Sequence, residues 1–163
     1  MQRLLFIIVI MIVSGCTKDV PETEKRISKT LEEESIIQTI KDFVVAYNNN
    51  DIEKALSLFD SNYKGVAVDS DEFAGVDALR NELINNRKQY PEGKWEINVD
   101  EINISGEFAY ILSSGSFLMP DVIEKKMSPV YSEKSIRILK KNKNGIWKIF
   151  RYVAVPTFSY DHK

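Results

Sequence analysis

Histidine and cysteine are almost missing from this chain: its 163 residues include one of each, Cys16 near the start and His162 near the end. A single histidine at that position cannot supply an internal His-based catalytic dyad or a zinc cluster, and a single cysteine cannot form an internal disulfide. A basic excess is missing too, because 22 Lys+Arg stand against 24 Asp+Glu. Proteins that bind nucleic acid normally carry such an excess, so we expect no nucleic-acid partner.

The remaining composition is that of one globular domain, with 44% hydrophobic and 28% charged residues. The sequence has no glycine-rich loop of the phosphate-binding type and no nucleophile-elbow pattern around a serine. An enzyme built from this chain would have to work with Asp, Glu, Lys or Tyr alone. We therefore expect no metal and no cofactor, and the composition favours a binding role over catalysis.

The first fifteen residues have the features of an export signal. Arg3 precedes an apolar run from Leu4 to Val13, which is shorter than the roughly 20 residues of a membrane-spanning helix. The ending Val13-Ser14-Gly15-Cys16 resembles the lipobox of bacterial lipoproteins. That resemblance implies cleavage before Cys16, acylation of its thiol and new amino group, and stable anchoring by several acyl chains. An ordinary secretory signal or an uncleaved membrane anchor are the alternatives.

Lipidation of Cys16 predicts a location in the bacterial cell envelope. The next residue is Thr17. An Asp at this position would resemble the signal that retains lipoproteins at the inner membrane, so in a two-membrane cell we expect the protein on the periplasmic face of the outer membrane. Polar residues follow and indicate a tether. The predicted organisation is a signal peptide over 1–15, the lipidated cysteine and tether over 16–30, a folded domain over 31–158 and a tail over 159–163.

The folded domain is predicted to have helices first and strands last. A capping box at Thr30–Glu33 predicts the start of an amphipathic helix, Asp51 can cap a short second helix, and Gly75 leads into a third. Asn144-Gly145 predicts a type I′ hairpin turn between the last two strands. Four long strands are expected over 95–104, 108–119, 129–141 and 146–156. This order predicts an α+β fold, with three N-terminal helices on one face of a curved antiparallel sheet.

Three segments resemble nuclear transport factor 2-like domains, particularly the SnoaL-like and ketosteroid-isomerase-like branches. Phe43–Phe59 resembles the opening of such domains, Phe73–Leu79 looks like their glycine-led entry to the third helix, and Asn144–Ile149 is similar to their last hairpin. The resemblance covers about residues 31–157 and implies a cone-shaped sheet. Because the superfamily contains enzymes, binders and transport factors, it leaves the function open.

The positions that carry catalytic groups in ketosteroid isomerase hold other residues here. Ungapped counting puts Ala67 at the position of the Asp base, Phe43 at that of the oxyanion Tyr, and Arg137 at or near the second acid. Asp69 could replace the base if the strand end is shifted. The alternative is that Asp69 belongs to an acidic turn exposed to solvent. We therefore favour a non-catalytic protein. The alternative is a SnoaL-like isomerase, dehydratase or cyclase that uses Asp69.

Strand alternation predicts a polar centre at Arg137. An even-length turn at Asn144-Gly145 places Arg137 on the same face as Phe150, Tyr152 and Ala154. This face could bind a small ligand with apolar and polar parts. The alternatives are an Arg137 that lies at the sheet edge or pairs with Glu133.

Two further tyrosines, Tyr47 and Tyr110, are candidates for lining such a ligand site. The alternative for both is a place in the core or in an interface.

The other face of the last two strands is also apolar, which predicts that something covers it. Its members are expected to be Ile136, Ile138, Ile149, Val153 and Val155. A second copy of the domain or an envelope protein would fit, and homodimers through the sheet are common in the resembling families. A purely structural assembly subunit is a third possibility. Beside this face, Lys140, Lys141, Lys143 and Lys148 cluster at the last hairpin, where they could contact anionic head groups or simply be solvated.

Growth of the producing bacterium with a labelled fatty-acid analogue tests the anchor. We expect acid-stable label on the protein and none on a Cys16→Ala variant, because the acyl chains are attached to that residue. Label that survives in Cys16→Ala would contradict the prediction.

Overall fold

Three helices and six strands make up the part of the chain that the computed structural model describes, residues 22–66 and 72–159. The helices are α1 (Glu22–Asn48), α2 (Ile52–Leu56) and α3 (Val76–Gln89). The strands are β1 (Phe59–Val66), β2 (Phe73–Ala74), β3 (Lys94–Ser105), β4 (Phe108–Asp121), β5 (Lys126–Lys141) and β6 (Trp147–Ser159). Among the described helices, none combines the length and the hydropathy needed to span a membrane.

The strands form one curved, unclosed sheet in the order β2-β1-β6-β5-β4-β3, and the helices pack on one side of it. The predicted α+β class and the helices on one face are confirmed. One detail differs from the expected antiparallel sheet: β1 pairs with β6 in parallel. A parallel pair needs a crossover connection, and the chain between β1 and β6, which contains α3 and the other strands, provides one.

The first helix is longer than predicted. It covers Glu22–Asn48, so Thr30 lies inside it, where its hydroxyl donates to the Arg26 carbonyl at 3.1 Å. The prediction of a capping box at Thr30 is therefore wrong. The preceding residues include Glu, Lys and Arg, which are good helix formers, and this favours continuation of the helix. The second half of α1 packs on the sheet, where Ile36 is fully buried, whereas Leu31 in the first half is 60% exposed.

The two shorter helices form as predicted. The Asp51 carboxylate accepts a hydrogen bond from the Lys54 backbone N–H at 3.0 Å and caps α2. In α3, Leu79 and Leu83 form the buried stripe. Together with α1, these helices cover the inner face of the sheet with apolar side chains.

The turn between β5 and β6 has three residues, not an even number. Lys141 pairs with Trp147, and the Asn142 N–H donates to the Ile146 carbonyl at 2.9 Å. Between them only Gly145 has a positive φ, 77°, whereas a type I′ turn needs two such residues. A loop with an odd number of residues reverses the predicted alternation of side chains between the two faces of β6. Trp147 and Ile149 therefore point into the core and are fully buried.

A β-bulge then restores the predicted alternation. The register shifts between Ile138 and Leu139, which leaves Phe150 without a partner on β5, and Arg137 pairs with Tyr152 beyond it. The predictions that Tyr152 and Ala154 share the face of Arg137 are therefore confirmed. The predictions for Phe150 on that face and Ile149 on the other are wrong.

Candidate functional site

A polar cluster lies on the inner face of β4, β5 and β6, inside an otherwise apolar core. Its charged members are Glu133 and Arg137, whose side chains are 1% and 6% exposed. Arg137 Nη2 donates to Glu133 Oε1 at 3.4 Å. The two residues are four apart on β5, and strand alternation therefore places both on the same face. Two charges this deep are stable in the core only when each compensates the other.

Hydroxyl groups complete the shell of the carboxylate. Glu133 Oε2 accepts hydrogen bonds from the hydroxyls of Tyr152 at 2.6 Å and Tyr131 at 3.2 Å. Gly115 gives this carboxylate room, because a Cβ there would lie 3.2 Å from Glu133 Cγ and 3.2 Å from the ring of Trp95. The negative charge is thus held by one cation and two hydroxyl donors.

The guanidinium has its own set of acceptors. Arg137 Nη1 donates to the Ser135 hydroxyl at 2.6 Å and to the Ser113 hydroxyl, and the two serine oxygens lie 3.0 Å apart. The Arg137 guanidinium also lies 4.8 Å from the centre of the Tyr152 ring, a cation–π distance. Across the described residues, the one buried side-chain polar atom without a hydrogen-bond partner is Arg87 Nε, outside this cluster.

Burial sets the ionisation of the tyrosines beside the pair. It raises the pKa of Tyr152 far above the ordinary value, and the negative charge of Glu133 raises it further. Burial also raises the pKa of Tyr63 well above the ordinary value. The ring of Tyr63 folds back over Gly65, where a Cβ would overlap the tyrosine hydroxyl and lie 3.4 Å from Tyr152 Cδ1. Both tyrosines therefore remain neutral hydrogen-bonding groups at physiological pH.

This geometry limits the chemistry that the cluster can perform. A general base must reach the proton that it abstracts. The Glu133 carboxylate instead accepts hydrogen bonds from Arg137, Tyr131 and Tyr152 and is almost completely buried. The arrangement therefore stabilises opposite charges inside the fold and does not offer a free carboxylate to a substrate.

The sequence-predicted site residues are only partly brought together. Arg137 and Tyr152 are neighbours, and the alternative in which Arg137 pairs with Glu133 is what the structure contains. Tyr47 is buried elsewhere, where its hydroxyl donates to Asn86 Oδ1 and its ring lies 5.3 Å from the Arg87 guanidinium.

The remaining predicted residues lie away from the cluster or outside the described chain. Tyr110 is on the outer face of the sheet, exposed, and donates to Glu101 Oε1 at 2.8 Å. Cys16 and Asp69 lie outside the described residues. Over the described ranges, no group of three His, Cys, Asp or Glu side chains is placed to hold a metal ion.

Sequence reasoning missed most of the polar shell. Ser113, Ser135, Tyr131 and Tyr63 were not among the candidates, and Glu133 was only an alternative partner for Arg137. A signal was present in β5, where Tyr131, Glu133, Ser135 and Arg137 alternate with outward residues on the same face as the buried Leu139. Polar residues that share the periodicity of a core strand indicate a buried network.

The comparison with solved structures identifies the fold. A nuclear transport factor 2-like protein with a cystatin-like fold from Novosphingobium aromaticivorans is similar with a TM-score of 0.76 and 11% identity, over 89% of this chain and 94% of that chain. The fold is nuclear transport factor 2-like. A ketosteroid isomerase-like protein from Erwinia carotovora atroseptica has a TM-score of 0.62 at 15% identity, over 77% of this chain and 95% of that chain.

Other neighbours with this fold have no known function. One is a protein with a cystatin-like fold from Nostoc punctiforme, with a TM-score of 0.69 and 15% identity over 80% of this chain and 95% of that chain. No model of a protein family matches the chain, and no curated protein matches it. Identities this low establish the nuclear transport factor 2-like fold alone and transfer no activity.

A double-mutant cycle tests the buried pair. Glu133→Gln and Arg137→Met should each lower the free energy of unfolding by about 3–5 kcal/mol, because each leaves the other charge buried and uncompensated. The double variant should be destabilised by clearly less than the sum of the two single variants. Urea denaturation followed by tryptophan fluorescence measures all three.

The exposed pair of Lys134 and Asp100, 3.0 Å apart, provides the matched control. Asp100→Asn should change stability little, since solvent already screens this pair. Additive effects of the two core substitutions would contradict the interpretation.

Proposed function

We propose that this protein is a non-catalytic binding module with a nuclear transport factor 2-like fold, held in the bacterial cell envelope by lipid on Cys16. The closed shell around Glu133 and Arg137 carries the proposal. Both oxygens of the buried carboxylate accept hydrogen bonds from protein groups, and the guanidinium is bound by the carboxylate and two serine hydroxyls. An interior of this kind supports binding at the surface better than it supports acid–base catalysis.

The outer face of the sheet offers the best surface for binding. Apolar side chains lie next to one another across four strands, in the order β4, β5, β6 and β1. Val155 lies beside this row, two residues after Val153 on β6. Ile136, Val153 and Val155 are 50%, 52% and 61% exposed. We call these side chains the outer apolar patch; its members are Leu112, Ile136, Val153, Val66 and Val155. Large exposed apolar patches typically mark interaction sites.

Charged pairs flank the outer apolar patch. Lys64 on β1 forms an ion pair with Glu72 at 2.7 Å, and Lys134 on β5 forms one with Asp100 on β3 at 3.0 Å. An apolar centre with a polar rim is the usual anatomy of a protein interface. Since the rim carries both signs of charge, two copies related by a two-fold axis can place opposite charges against each other. We therefore propose a second copy of the chain as the partner, with another envelope protein as the alternative.

A small ligand is the second candidate, and Tyr63 favours it. Its side chain is almost completely buried, with the ring of Phe59 edge-on against it and the charges of Glu133 and Arg137 near its hydroxyl. The neighbouring charges of Glu133 and Arg137 balance each other. A neutral ligand with an apolar body and one polar group would suit this position.

Native mass spectrometry of the full chain, released from detergent micelles, separates these candidates. We expect a dimer at micromolar concentration, and we expect Ile136→Asp to reduce it to monomer because the charge would be buried against apolar side chains. Val45→Asp is the matched control, since Val45 is similarly exposed but lies on α1, and this variant should remain dimeric.

A monomeric wild-type chain, or a dimer that survives Ile136→Asp, would contradict the homodimer. The same spectra test the ligand: a bound small molecule that is lost from Tyr63→Phe would favour the second candidate.

A further inference from the structure

A basic surface lies at the end of the sheet where β5 turns into β6. We call it the basic hairpin end, and its members are Lys140, Lys141, Lys143 and Lys148. Lys143 is exposed in the loop, and the apolar side chain of Ile146 is exposed beside it. Lys140 lies over the rings of Phe108 and Phe150 at 5.4 and 5.8 Å from their centres. This end therefore combines positive charge with apolar and aromatic surface.

The basic hairpin end is on the same side of the domain as the first half of α1. Lys141 Nζ lies 2.6 Å from Glu32 Oε1, and this ion pair fixes the helix beside the hairpin. The other end of α1 is held elsewhere, because the Asn48 side chain exchanges hydrogen bonds with the backbone of Trp95 on β3. The helix segment that precedes Glu32 thus extends from the hairpin side of the domain.

That segment leads towards Cys16. Glu22 is ten positions before Glu32 in the helix, a rise of about 15 Å. Cys16 is six positions before Glu22, a span of at most about 22 Å. The exposure of Leu31 agrees with a helix that has left the body of the domain. A bilayer that holds Cys16 therefore lies within reach of the hairpin.

The charge balance favours an anionic surface. Two glutamates contact this end: Glu32, whose carboxylate pairs with Lys141, and Glu107, whose backbone carbonyl accepts from the Lys141 N–H at 2.8 Å. Four lysines against two glutamates leave a net charge of +2. Lys148 donates to the Ser57 carbonyl at 2.5 Å, which leaves its positive charge without a paired carboxylate at that contact. Basic residues next to a membrane anchor are attracted by anionic lipids.

We infer that the basic hairpin end docks on the anionic lipid head groups of the membrane to which Cys16 is attached. This inference rests on the proposed lipid anchor. Docking would add a second contact to the anchor and restrict the orientation of the domain relative to the bilayer, which the acyl chains alone do not set.

Site-specific labels on the full lipidated chain test this docking. Because acylation occupies Cys16, a cysteine at Asn144 or at Val122 gives a single reactive thiol. Asn144 is exposed in the hairpin loop, and Val122 is exposed beyond the opposite end of β5. Each labelled protein is reconstituted into vesicles that carry a nitroxide quencher on their head groups. One set of vesicles is pure phosphatidylcholine, and the other contains 30 mol % phosphatidylglycerol, on the order of anionic bacterial membranes.

The docking predicts that the Asn144→Cys label is quenched at least about twofold more in the phosphatidylglycerol vesicles, whereas the Val122→Cys label is quenched equally in both. Neutralising three lysines of the hairpin should abolish the difference: Lys140→Gln, Lys143→Gln and Lys148→Gln. The matched control removes the same charge elsewhere and should keep the difference: Lys88→Gln, Lys125→Gln and Lys126→Gln. Salt near 1 M should also remove it, because the Debye length falls to about 3 Å.

Equal quenching of the Asn144→Cys label in both kinds of vesicle would overturn the docking. It would also be overturned if the control variant lost the difference in quenching as completely as the hairpin variant. Flotation of the same samples tests the anchor separately. A chain that fails to float with pure phosphatidylcholine vesicles refutes the lipid anchor, whereas a chain that floats without the phosphatidylglycerol-dependent quenching refutes only the docking.

Discussion

The ion pair of Glu133 and Arg137 is the constraint on which the centre of this structure depends. Both charges stand on β5 and point into the core, where neither could remain alone. Their pairing requires the hydroxyls of Tyr131 and Tyr152 around the carboxylate and two serine hydroxyls around the guanidinium. Because strand alternation has a period of two, a slip of one residue would turn this whole set outward. The pair therefore fixes the register of β4, β5 and β6.

The same pair connects the fold to the proposed role. Because Glu133 and Arg137 compensate each other inside the sheet, this carboxylate is not a free base, and the proposal therefore places binding at the surface. The outer apolar patch and the basic hairpin end lie on different parts of the sheet, so one copy of the chain could contact a partner and a membrane at the same time. In this proposal, the fold is the rigid support between them.

The fold class and part of the polar cluster could be predicted from the sequence. Helical spacing predicts the buried stripe of α3, and strand alternation predicts that Arg137 and Tyr152 share a face. Local patterns could not reveal the three-residue turn or the bulge at Phe150, which reverse the alternation twice within ten residues. Nor could they reveal that α1 begins before Thr30, at Glu22, since helix formation there depends on the sum of weak propensities. The members of the polar cluster come from three strands, β4, β5 and β6, and only the folded sheet brings them together.

Ionisation of Tyr152 is the most direct measure of whether this interior is closed. Ultraviolet difference absorbance between the wild-type protein and Tyr152→Phe isolates its phenolate, while circular dichroism reports that the fold persists. Burial and the charge of Glu133 raise the pKa of Tyr152, so we expect no phenolate from it at a pH of about 10.5, where an exposed tyrosine is largely ionised. Ionisation near pH 10 in a folded protein would contradict the account, because it would mean that water reaches the carboxylate and its tyrosine.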